Sequence, residues 1–229
     1  SAGGGDRDAA RRGGAMTGGA AEDRTTRFWW VRHAPVPHGG RIYGQSDLSC
    51  DCSDAAVFSG LARQLPQGAV WVTSTLQRTH ETAAAIVRAG PDPTPGPEAL
   101  ALADLAEQNF GEWQGLTYED LRCSRAGEFH RFWHAPAHLA PPGGESFVAM
   151  MARVARAVHS LVAAYLGRDI LIVAHGGTIR AALALALGLE PETALAFTIE
   201  NCSLTRIDHI DGPGQGHGWR IVTVNRPPY

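Results

Sequence analysis

The sequence predicts an α/β protein in which a mainly parallel sheet is covered by helices on both faces, a three-layer α/β/α sandwich. Three short segments rich in branched and aromatic residues are typical of buried strands, and two of them run directly into helical patterns. Strands that alternate with helices need crossover connections, which make neighbouring strands parallel. The alternation therefore indicates the fold class before any single residue is considered.

The first two strands are predicted from short apolar runs. Residues 27–31 (RFWWV) lead directly into Arg32 and His33. Residues 69–73 (AVWVT) precede a helix over residues 76–89, whose Ala, Thr and Ile content ends at a glycine-proline pair. A buried strand thus delivers Arg32 and His33 to one edge of the sheet.

The second half of the chain adds the remaining elements. Residues 169–174 (DILIVA) form a predicted strand that ends at His175 and continues through two glycines into an Ala/Leu-rich helix. An amphipathic helix is predicted over residues 146–166. Two further strands are predicted over residues 204–208 and 219–224, on either side of a glycine-rich loop.

The length and composition fit one folded domain, predicted over residues 28–229. A chain of 229 residues with 44% hydrophobic residues can bury one sizeable core. Residues 1–27 are rich in Gly, Ala, Arg and Asp, and we expect them to be disordered or an expression remnant, with Met16 as a natural start. No run of 18 apolar residues occurs, so the sequence predicts no membrane span.

Charge and cysteine content narrow the choice of partners. The net charge of -3 and the pI near 6.3 provide no long-range attraction to nucleic acid or to an anionic membrane. The four cysteines make no recognisable disulfide framework, which predicts reduced thiols and a cytoplasmic protein. An anionic substrate would have to be held by a local cluster of cations, and the oligomeric state is left open, with a homodimer as one option.

Cationic and imidazole side chains follow the predicted strands. His33 and His175 lie at predicted carboxyl strand ends, where ligands of such sheets bind, and Arg78 lies in the first turn of the helix after another strand. Arg32 and Arg78 carry planar forks that match the oxygens of a phosphoryl group. The helices that begin beside these residues would also direct backbone N–H groups at an anion. The sequence therefore predicts a phosphoryl site at this edge.

Phosphoryl transfer also needs a nucleophile and a proton donor. A neutral His33 can be the nucleophile, and Glu107 can protonate the leaving oxygen and later activate water. Glu112 is a competing candidate for the acid. Gly176 follows His175 in a turn that would bring backbone close to the phosphate.

Five motifs resemble the histidine phosphatase superfamily, also called the phosphoglycerate mutase-like fold, and they occur in the order of that family. The motifs are VRHA at 31–34, TSTLQRTHETA at 73–83, LAEQNFGEWQG at 105–115, GGES at 143–146 and AHGGTIRA at 174–181. The resemblance implies that His33 becomes phosphorylated, that Arg32, Arg78 and His175 bind the phosphoryl group, and that Glu107 is the proton donor. It also implies that the partner is a small phosphorylated metabolite and that the reaction is metal-independent and needs no cofactor.

Several positions depart from the family pattern. Ala34 replaces the usual glycine, Pro35 and Val36 replace an acidic-threonine pair, and Thr75 stands where a proline is common. Glycines 39 and 40 fill the region in which the family often has an asparagine. None of these departures alters the proposed catalytic residues.

Three classes of function remain open, and hydrolysis is favoured. Mutases of the family carry an insertion with an arginine pair, whereas residues 116–142 contain no adjacent arginines. The alternatives are a cofactor-dependent phosphoglycerate mutase and a non-catalytic phosphate-binding module. Among phosphatases, the chain resembles both the broad-specificity bacterial enzymes and the alpha-ribazole phosphatases, so alpha-ribazole 5'-phosphate is one candidate substrate.

Aromatic residues at the mouth are candidates for binding the leaving group. Tyr43 and Trp133, with Phe110 and Trp113, could stack on a flat or apolar group, although core packing is an equal alternative.

The histidines and cysteines do not form the pattern of a metal site. His130, His134 and His138 recur every four residues, but a proline at 136 interrupts the helix that would align them. Cys50 and Cys52 are likewise predicted to be free thiols. The sequence predicts no metal.

Overall fold

Six strands form one sheet in the computed structural model, which describes residues 24–91, 98–212 and 218–229. The strand order is β3-β2-β4-β1-β5-β6. The first four in this order are mutually parallel, whereas β5 runs antiparallel to β1 and β6 antiparallel to β5. The strands are β1 (Thr25–Arg32), β2 (Val70–Thr73), β3 (Leu100–Ala101), β4 (Asp169–Ala174), β5 (Leu204–Ile210) and β6 (Trp219–Arg226).

Seven α-helices and two short 3-10 turns connect the strands in the described ranges. The helices are α1 (Ala55–Gln64), α2 (Gln77–Ala89), α3 (Tyr118–Ser124), α4 (Ala126–His134), α5 (Phe147–Ala164), α6 (Gly176–Leu187) and α7 (Pro191–Ala194). The 3-10 turns are Ala103–Leu105 and Gly111–Trp113.

The central strands bury side chains on both faces, because successive residues of a strand point to opposite sides. Phe28 and Trp30 of β1 pack with α5 and α6, whereas Val31 packs with α1 and α2. Ile170 and Leu171 of β4 divide in the same way. The three-layer α/β/α sandwich predicted from the sequence is confirmed.

The observed bounds differ from the predicted ones mainly where strands pair. Strand β4 begins and ends where the sequence predicts and is followed by the expected helix α6, but β1 extends to Thr25 because that residue pairs with Ile210 of β5. Helix α5 begins at Phe147 because the Ser146 side chain accepts from the N–H of Ala149 and caps the helix. Residues 1–23 of the segment predicted to be disordered lie outside the described residues, whereas the prediction is wrong for residues 25–27, which belong to β1.

Among the described residues, α5 is the one helix that is long and apolar enough to cross a membrane, with a mean hydropathy of 1.4. The sequence predicted no such segment. Core helices satisfy the same criteria of length and composition. Met150 and Val154 of α5 are buried in the core beneath the sheet, and the helix also carries Arg153. Helix α5 therefore packs one face against the core, with 33% of the helix buried.

Candidate active site

Two histidines lie side by side because the strands that precede them are neighbours. Arg32 pairs with Ala174 at the carboxyl ends of the parallel strands β1 and β4. The N–H of His33 donates to the carbonyl of Ala174 at 2.9 Å, and the rings of His33 and His175 are 5.2 Å apart between centroids. The predicted convergence of the two histidines on one sheet edge is thus present in the structure.

The His33 imidazole is held as a neutral base. Its Nδ1 lies 2.7 Å from the carbonyl oxygen of Ala34, and because a carbonyl can only accept, Nδ1 carries the ring proton. The pKa of His33 is lowered to about 3, first by burial and then by the positive charges of Arg78 and Arg32, although the bond to Ala34 opposes the shift. Nε2 is therefore the unprotonated, nucleophilic nitrogen near neutral pH.

His175 is fully buried at the start of α6. Its Nε2 lies 2.8 Å from the hydroxyl of Ser74, and its Nδ1 has no hydrogen-bond partner among the described residues. Burial lowers the pKa of His175 well below the usual value, and the neighbouring His33 and Arg78 act in the same direction. A neutral ring that receives the Ser74 proton at Nε2 can donate from Nδ1.

The Arg78 side chain is buried completely and is positioned by backbone oxygens. One terminal nitrogen donates to the carbonyl of Ser46 at 2.8 Å, and the other donates to the carbonyl of Gly44. The guanidinium also lies over the Tyr43 ring, 5.0 Å from its centroid. Burial lowers the pKa of Arg78, and the Glu107 carboxylate opposes that shift, so the cation is fixed beside an acidic side chain.

Three buried nitrogens at this sheet edge lack hydrogen-bond partners in the described parts of the chain. They are Nε of Arg32, Nε of Arg78 and Nδ1 of His175. Arg32 is anchored at another nitrogen, which donates to the carbonyl of Ile199. Buried polar groups are normally paired, so a cluster of unpaired donors fits a site for an anion.

The structure places Glu107 beside α6 and Glu112 away from it. The Glu107 carboxylate accepts from the N–H of Gly177 at 3.3 Å and from the N–H of Gln108 at 2.9 Å. Glu112 has a 57% exposed side chain that pairs with Arg125 at 2.8 Å. Of the two acids considered from the sequence, Glu107 is the one within the site.

The two helix N-termini expected to face an anion already have carboxylate partners. At α6, the Gly177 N–H donates to Glu107. At α2, the N–H of Gln77 donates to the Asp47 carboxylate at 2.7 Å. Each helix therefore satisfies one of its first N–H groups with a side chain of the protein, and the expectation that its remaining first N–H groups, among them that of Gly176, face a phosphoryl group stays a prediction.

Arg153 and Glu145 position the segment that carries Glu107. Arg153 of α5 donates to the carbonyls of Asp104, Ala106 and Glu107 at 2.7 to 3.0 Å, and it pairs with Glu145 at 2.6 Å. Glu145 lies in the GGES motif and accepts from the N–H of Asn109 at 2.9 Å. The GGES motif thus connects the segment that carries Glu107 to α5.

Three further residues of the site were not identified from the sequence. Ser74 contacts His175, Thr82 accepts from the N–H of Ala34 at 2.9 Å, and Asn201 donates to the carbonyl of His33 at 2.8 Å. Ser74 and Thr82 lie in the motif that contains Arg78, so their place in that motif was an available signal. Asn201 lies in none of the five motifs.

Tyr43 and Trp133 occupy different places. Tyr43 borders the phosphoryl site, with its ring 6.3 Å from that of His33 between centroids. Trp133 is 51% exposed and lines a neighbouring cavity of about 310 Å³, together with Tyr118 and Phe129. Trp113 also borders this cavity but is buried in a small cluster around α3 and α4, so it is largely a packing residue.

No group of three His, Cys, Asp or Glu side chains that could hold a metal ion occurs in the described ranges. Nε2 of His130 lies 3.0 Å from Nε2 of His134, while His138 follows the end of α4. The sulfurs of Cys50 and Cys52 are 3.6 Å apart and unbonded.

The chain matches the histidine phosphatase superfamily (branch 1) over residues 28–226. This match covers all six strands except the first three residues of β1. The chain therefore belongs to the histidine phosphatase superfamily, and the resemblance noted from the five motifs is confirmed.

Relatives of known sequence include phosphatases and larger proteins. The chain is 33% identical over 220 residues to the glucosyl-3-phosphoglycerate phosphatase of Mycolicibacterium vanbaalenii, covering 88% of this chain and 95% of that protein. It is 38% identical over 121 residues to a bifunctional protein of Mycobacterium tuberculosis. That second alignment spans 51% of this chain and only 30% of the relative's length.

Solved structures share the fold over nearly the whole chain. The native structure of a mycobacterial glucosyl-3-phosphoglycerate phosphatase has a TM-score of 0.75 and 29% identity, and the match covers 89% of this chain and 100% of that one. A putative alpha-ribazole-5'-P phosphatase from Escherichia coli has a TM-score of 0.75 and 21% identity, covering 87% and 96%. The second likeness concerns the fold alone.

Proposed function

We propose that this protein hydrolyses small phosphomonoesters through a covalent phosphohistidine at Nε2 of His33. The observation that carries this proposal is the state of His33. The ring is buried and lies near two guanidinium groups. Its proton is held at Nδ1, which donates to the carbonyl of Ala34. A neutral imidazole among cations is a suitable nucleophile for a phosphoryl dianion.

The first step forms the phosphohistidine. The phosphoryl oxygens accept hydrogen bonds from Arg32, Arg78 and Nδ1 of His175, which supply the unpaired buried donors. Nε2 of His33 forms a bond to phosphorus while the bond from phosphorus to the ester oxygen breaks. Protonated Glu107 gives its proton to the departing oxygen, so the leaving group departs as a neutral alcohol.

The second step returns the enzyme to its starting state. The Glu107 carboxylate removes a proton from water as the water oxygen bonds to phosphorus, and the bond from phosphorus to Nε2 breaks. Inorganic phosphate leaves, His33 is again neutral and Glu107 is again protonated. No step requires a metal ion, and we propose that the reaction is metal-independent.

Two observations support hydrolysis over mutase chemistry. Two relatives aligned over 88% of the chain at 33% and 34% identity are named as phosphatases, whereas a probable phosphoglycerate mutase aligned over 86% is 27% identical and a mutase of Gloeobacter violaceus is 34% identical over only 62% of the chain. Residues 116–142 also lack the adjacent arginine pair typical of family mutases. We therefore propose water as the phosphoryl acceptor.

Between the candidate substrates, phosphorylated sugar acids are favoured over alpha-ribazole 5'-phosphate. The glucosyl-3-phosphoglycerate phosphatase is 33% identical, whereas the alpha-ribazole phosphatase structure shares the fold at 21% identity. The cytoplasmic location and the homodimer stay predictions.

The test is phosphate release from p-nitrophenyl phosphate by wild type, His33→Ala and His159→Ala, each with EDTA present. His159 is an exposed histidine of α5 and serves as the matched control. We expect turnover by wild type and His159→Ala, no turnover by His33→Ala, and an acid-labile phosphoryl group on quenched wild type. Turnover by folded His33→Ala, or loss of activity in EDTA, would contradict the proposal. Exchange between 2- and 3-phosphoglycerate that depends on the bisphosphate would identify a mutase instead.

A further inference from the structure

Arg180 is a third guanidinium at the site, and neither the motif roles nor the proposed mechanism uses it. It lies one turn after Gly176 on α6 and lines the cavity that contains Trp133. A Cβ placed on Gly176 would be 3.6 Å from Nε of Arg32 and 3.9 Å from a terminal nitrogen of Arg180. Both guanidinium groups therefore flank Gly176, one toward the phosphoryl site and one toward the cavity.

The Arg180 side chain is anchored at one end and available at the other. Its Nε donates to the carbonyl of Phe197 at 2.7 Å, which fixes the plane of the group. Its two terminal nitrogens make no hydrogen bond in the described parts of the chain. Burial lowers the pKa of Arg180, Glu107 raises it and Arg32 lowers it. The Arg180 guanidinium therefore interacts electrostatically with two groups of the site. An anchored guanidinium with free terminal nitrogens can bind a carboxylate through two bonds.

The charges of the site leave one cation without an opposing group. Both histidines are neutral, and Glu107 must be protonated to act as the acid in the first step. Arg32, Arg78 and Arg180 then carry three positive charges, and a phosphoryl dianion neutralises two of them. Since Arg32 and Arg78 carry the unpaired donors at the phosphoryl site, the remaining positive charge is that of Arg180.

Other charged groups near the site do not change this count. Arg153 is neutralised by Glu145 through two nitrogen-oxygen contacts of 2.6 and 3.1 Å. Asp47 is exposed and bound to the start of α2, where solvent screens its charge.

We propose that Arg180 binds a carboxylate of the leaving group, so that the substrates are phosphomonoesters of hydroxy acids. This inference rests on the proposed function and names the class of compound that the same site prefers. The carboxylate lies at the boundary between the phosphoryl site and the cavity, and the rest of the leaving group extends along Trp133, Tyr118 and Phe129. Aromatic faces of this kind pack against a ring or sugar and leave the acid to the guanidinium.

A matched pair of substrates tests the preference in wild type without any substitution. 3-Phosphoglycerate and glycerol 3-phosphate share the phosphate ester and differ by a carboxylate against a hydroxymethyl group. Phenyl phosphate and 3-carboxyphenyl phosphate form a second pair that uses the aromatic cavity. We expect kcat/KM to be about 10- to 100-fold higher for the carboxylate-containing member of each pair, because a hydrogen bond to a charged group contributes a free energy of that size.

Variants then assign the preference to Arg180. In Arg180→Gln we expect the ratio of kcat/KM within each pair to fall toward one, and in Arg180→Lys to be partly retained, because the charge remains but the fork is lost. Arg63→Gln is the matched control, since it removes one exposed positive charge from α1 on the opposite face of the sheet. We expect it to keep the wild-type ratio.

The outcomes separate this proposal from the proposed function. Wild type that hydrolyses both members of each pair equally would overturn the role of Arg180 while leaving phosphohistidine hydrolysis in place. An unchanged ratio in folded Arg180→Gln would also overturn it. Failure of the proposed function is a different result, because His33→Ala would then retain turnover of p-nitrophenyl phosphate.

Discussion

The hydroxyl of Ser74 lies 2.8 Å from Nε2 of His175, although 101 residues separate them in the sequence. Ser74 follows β2 and His175 follows β4, and these strands are parallel neighbours. The contact therefore results from sheet topology, and it selects which nitrogen of His175 is available to an anion.

We expect Ser74→Ala to lower kcat/KM by about five- to tenfold, because the loss of one buried hydrogen bond costs about 1 kcal/mol and frees the tautomer of His175. Ser74 is a positioning residue, so the pH profile of kcat/KM should change along with its size. Thr75→Ala removes the adjacent exposed hydroxyl and serves as control. A Ser74→Ala enzyme with wild-type rate and pH profile would show that the bond has no role in orienting the ring.

Glu107→Gln tests the assignment of the acid. We expect its kcat on an alkyl phosphate to fall by about 100-fold or more, because a poor leaving group needs a proton, whereas p-nitrophenyl phosphate should lose much less in the phosphorylation step. The measurement is single-turnover kinetics on both esters. Glu112→Gln is the matched control, since that carboxylate pairs with Arg125 on the surface. Equal losses on both esters, or the same pattern in Glu112→Gln, would refute the role of Glu107.

The buried histidines predict how stability depends on pH. The pKa of His33 is lowered to about 3 and that of His175 lies well below the usual 6.5. At a pH below 6.5 but above the pKa values in the folded state, the unfolded chain therefore binds more protons than the folded one. Stability is then fully present above pH 6.5 and is lost as the pH falls, by up to about 1.4 kcal/mol per pH unit for each histidine.

Urea unfolding between pH 7 and pH 4.5 measures this loss. We expect a smaller pH slope in His33→Gln, which cannot titrate, and an unchanged slope in the control His159→Gln, where an exposed histidine is removed. A wild-type free energy of unfolding that stays constant over this range would contradict the buried neutral state of the pair.

Gly177→Ala should separate stability from catalysis. A Cβ at this position would lie 2.3 Å from a carboxylate oxygen of Glu107 and 2.8 Å from the terminal methyl of Met150. Both atoms end flexible side chains that can move, so we expect a folded protein whose stability changes by about 1 kcal/mol or less and whose Glu107 is displaced. Hydrolysis of alkyl phosphates should fall more than that of p-nitrophenyl phosphate. The control is Gly127→Ala on α4, where an added Cβ meets nothing within 4 Å; similar losses in both variants would contradict the explanation.

Local sequence patterns predicted the central elements of the fold. The bounds of β4 and α6 follow from a short apolar run, a glycine turn and a helical pattern, which are all local signals. The extra length of β5 and β6 depends on their pairing with each other and with β1, and no local pattern records a partner strand. The pair of turns at Gly111 and Gly144 is also non-local. A Cβ on Gly111 would lie 2.1 Å from the carbonyl of Pro142, so only glycine permits this approach of two backbones.

The candidate site likewise contains residues that local patterns predict and residues that they do not. His33, Arg78 and His175 could be proposed because each follows a predicted strand and stands in a motif. The acceptors of Arg78 are carbonyl oxygens of residues 44 and 46, and every residue type has a carbonyl, so the sequence contains no trace of them. Asn201 lies close to His33 only because β5 packs beside β1, whereas Arg180 follows His175 by little more than one turn of α6.

The hydrogen bonds of Arg153 attach the segment of Glu107 to a helix, whereas the other groups of the candidate site lie at the edge of the sheet. The groups proposed to face the phosphoryl oxygens lie at or just after the ends of strands, whereas the segment of Glu107, the proposed proton donor, is attached to α5 through three backbone carbonyls that accept from Arg153. A displacement of α5 would therefore act on the position of Glu107 through the carbonyls that Arg153 binds. Substitutions in the core beneath α5 can therefore lower kcat through the position of Glu107 without contacting the substrate.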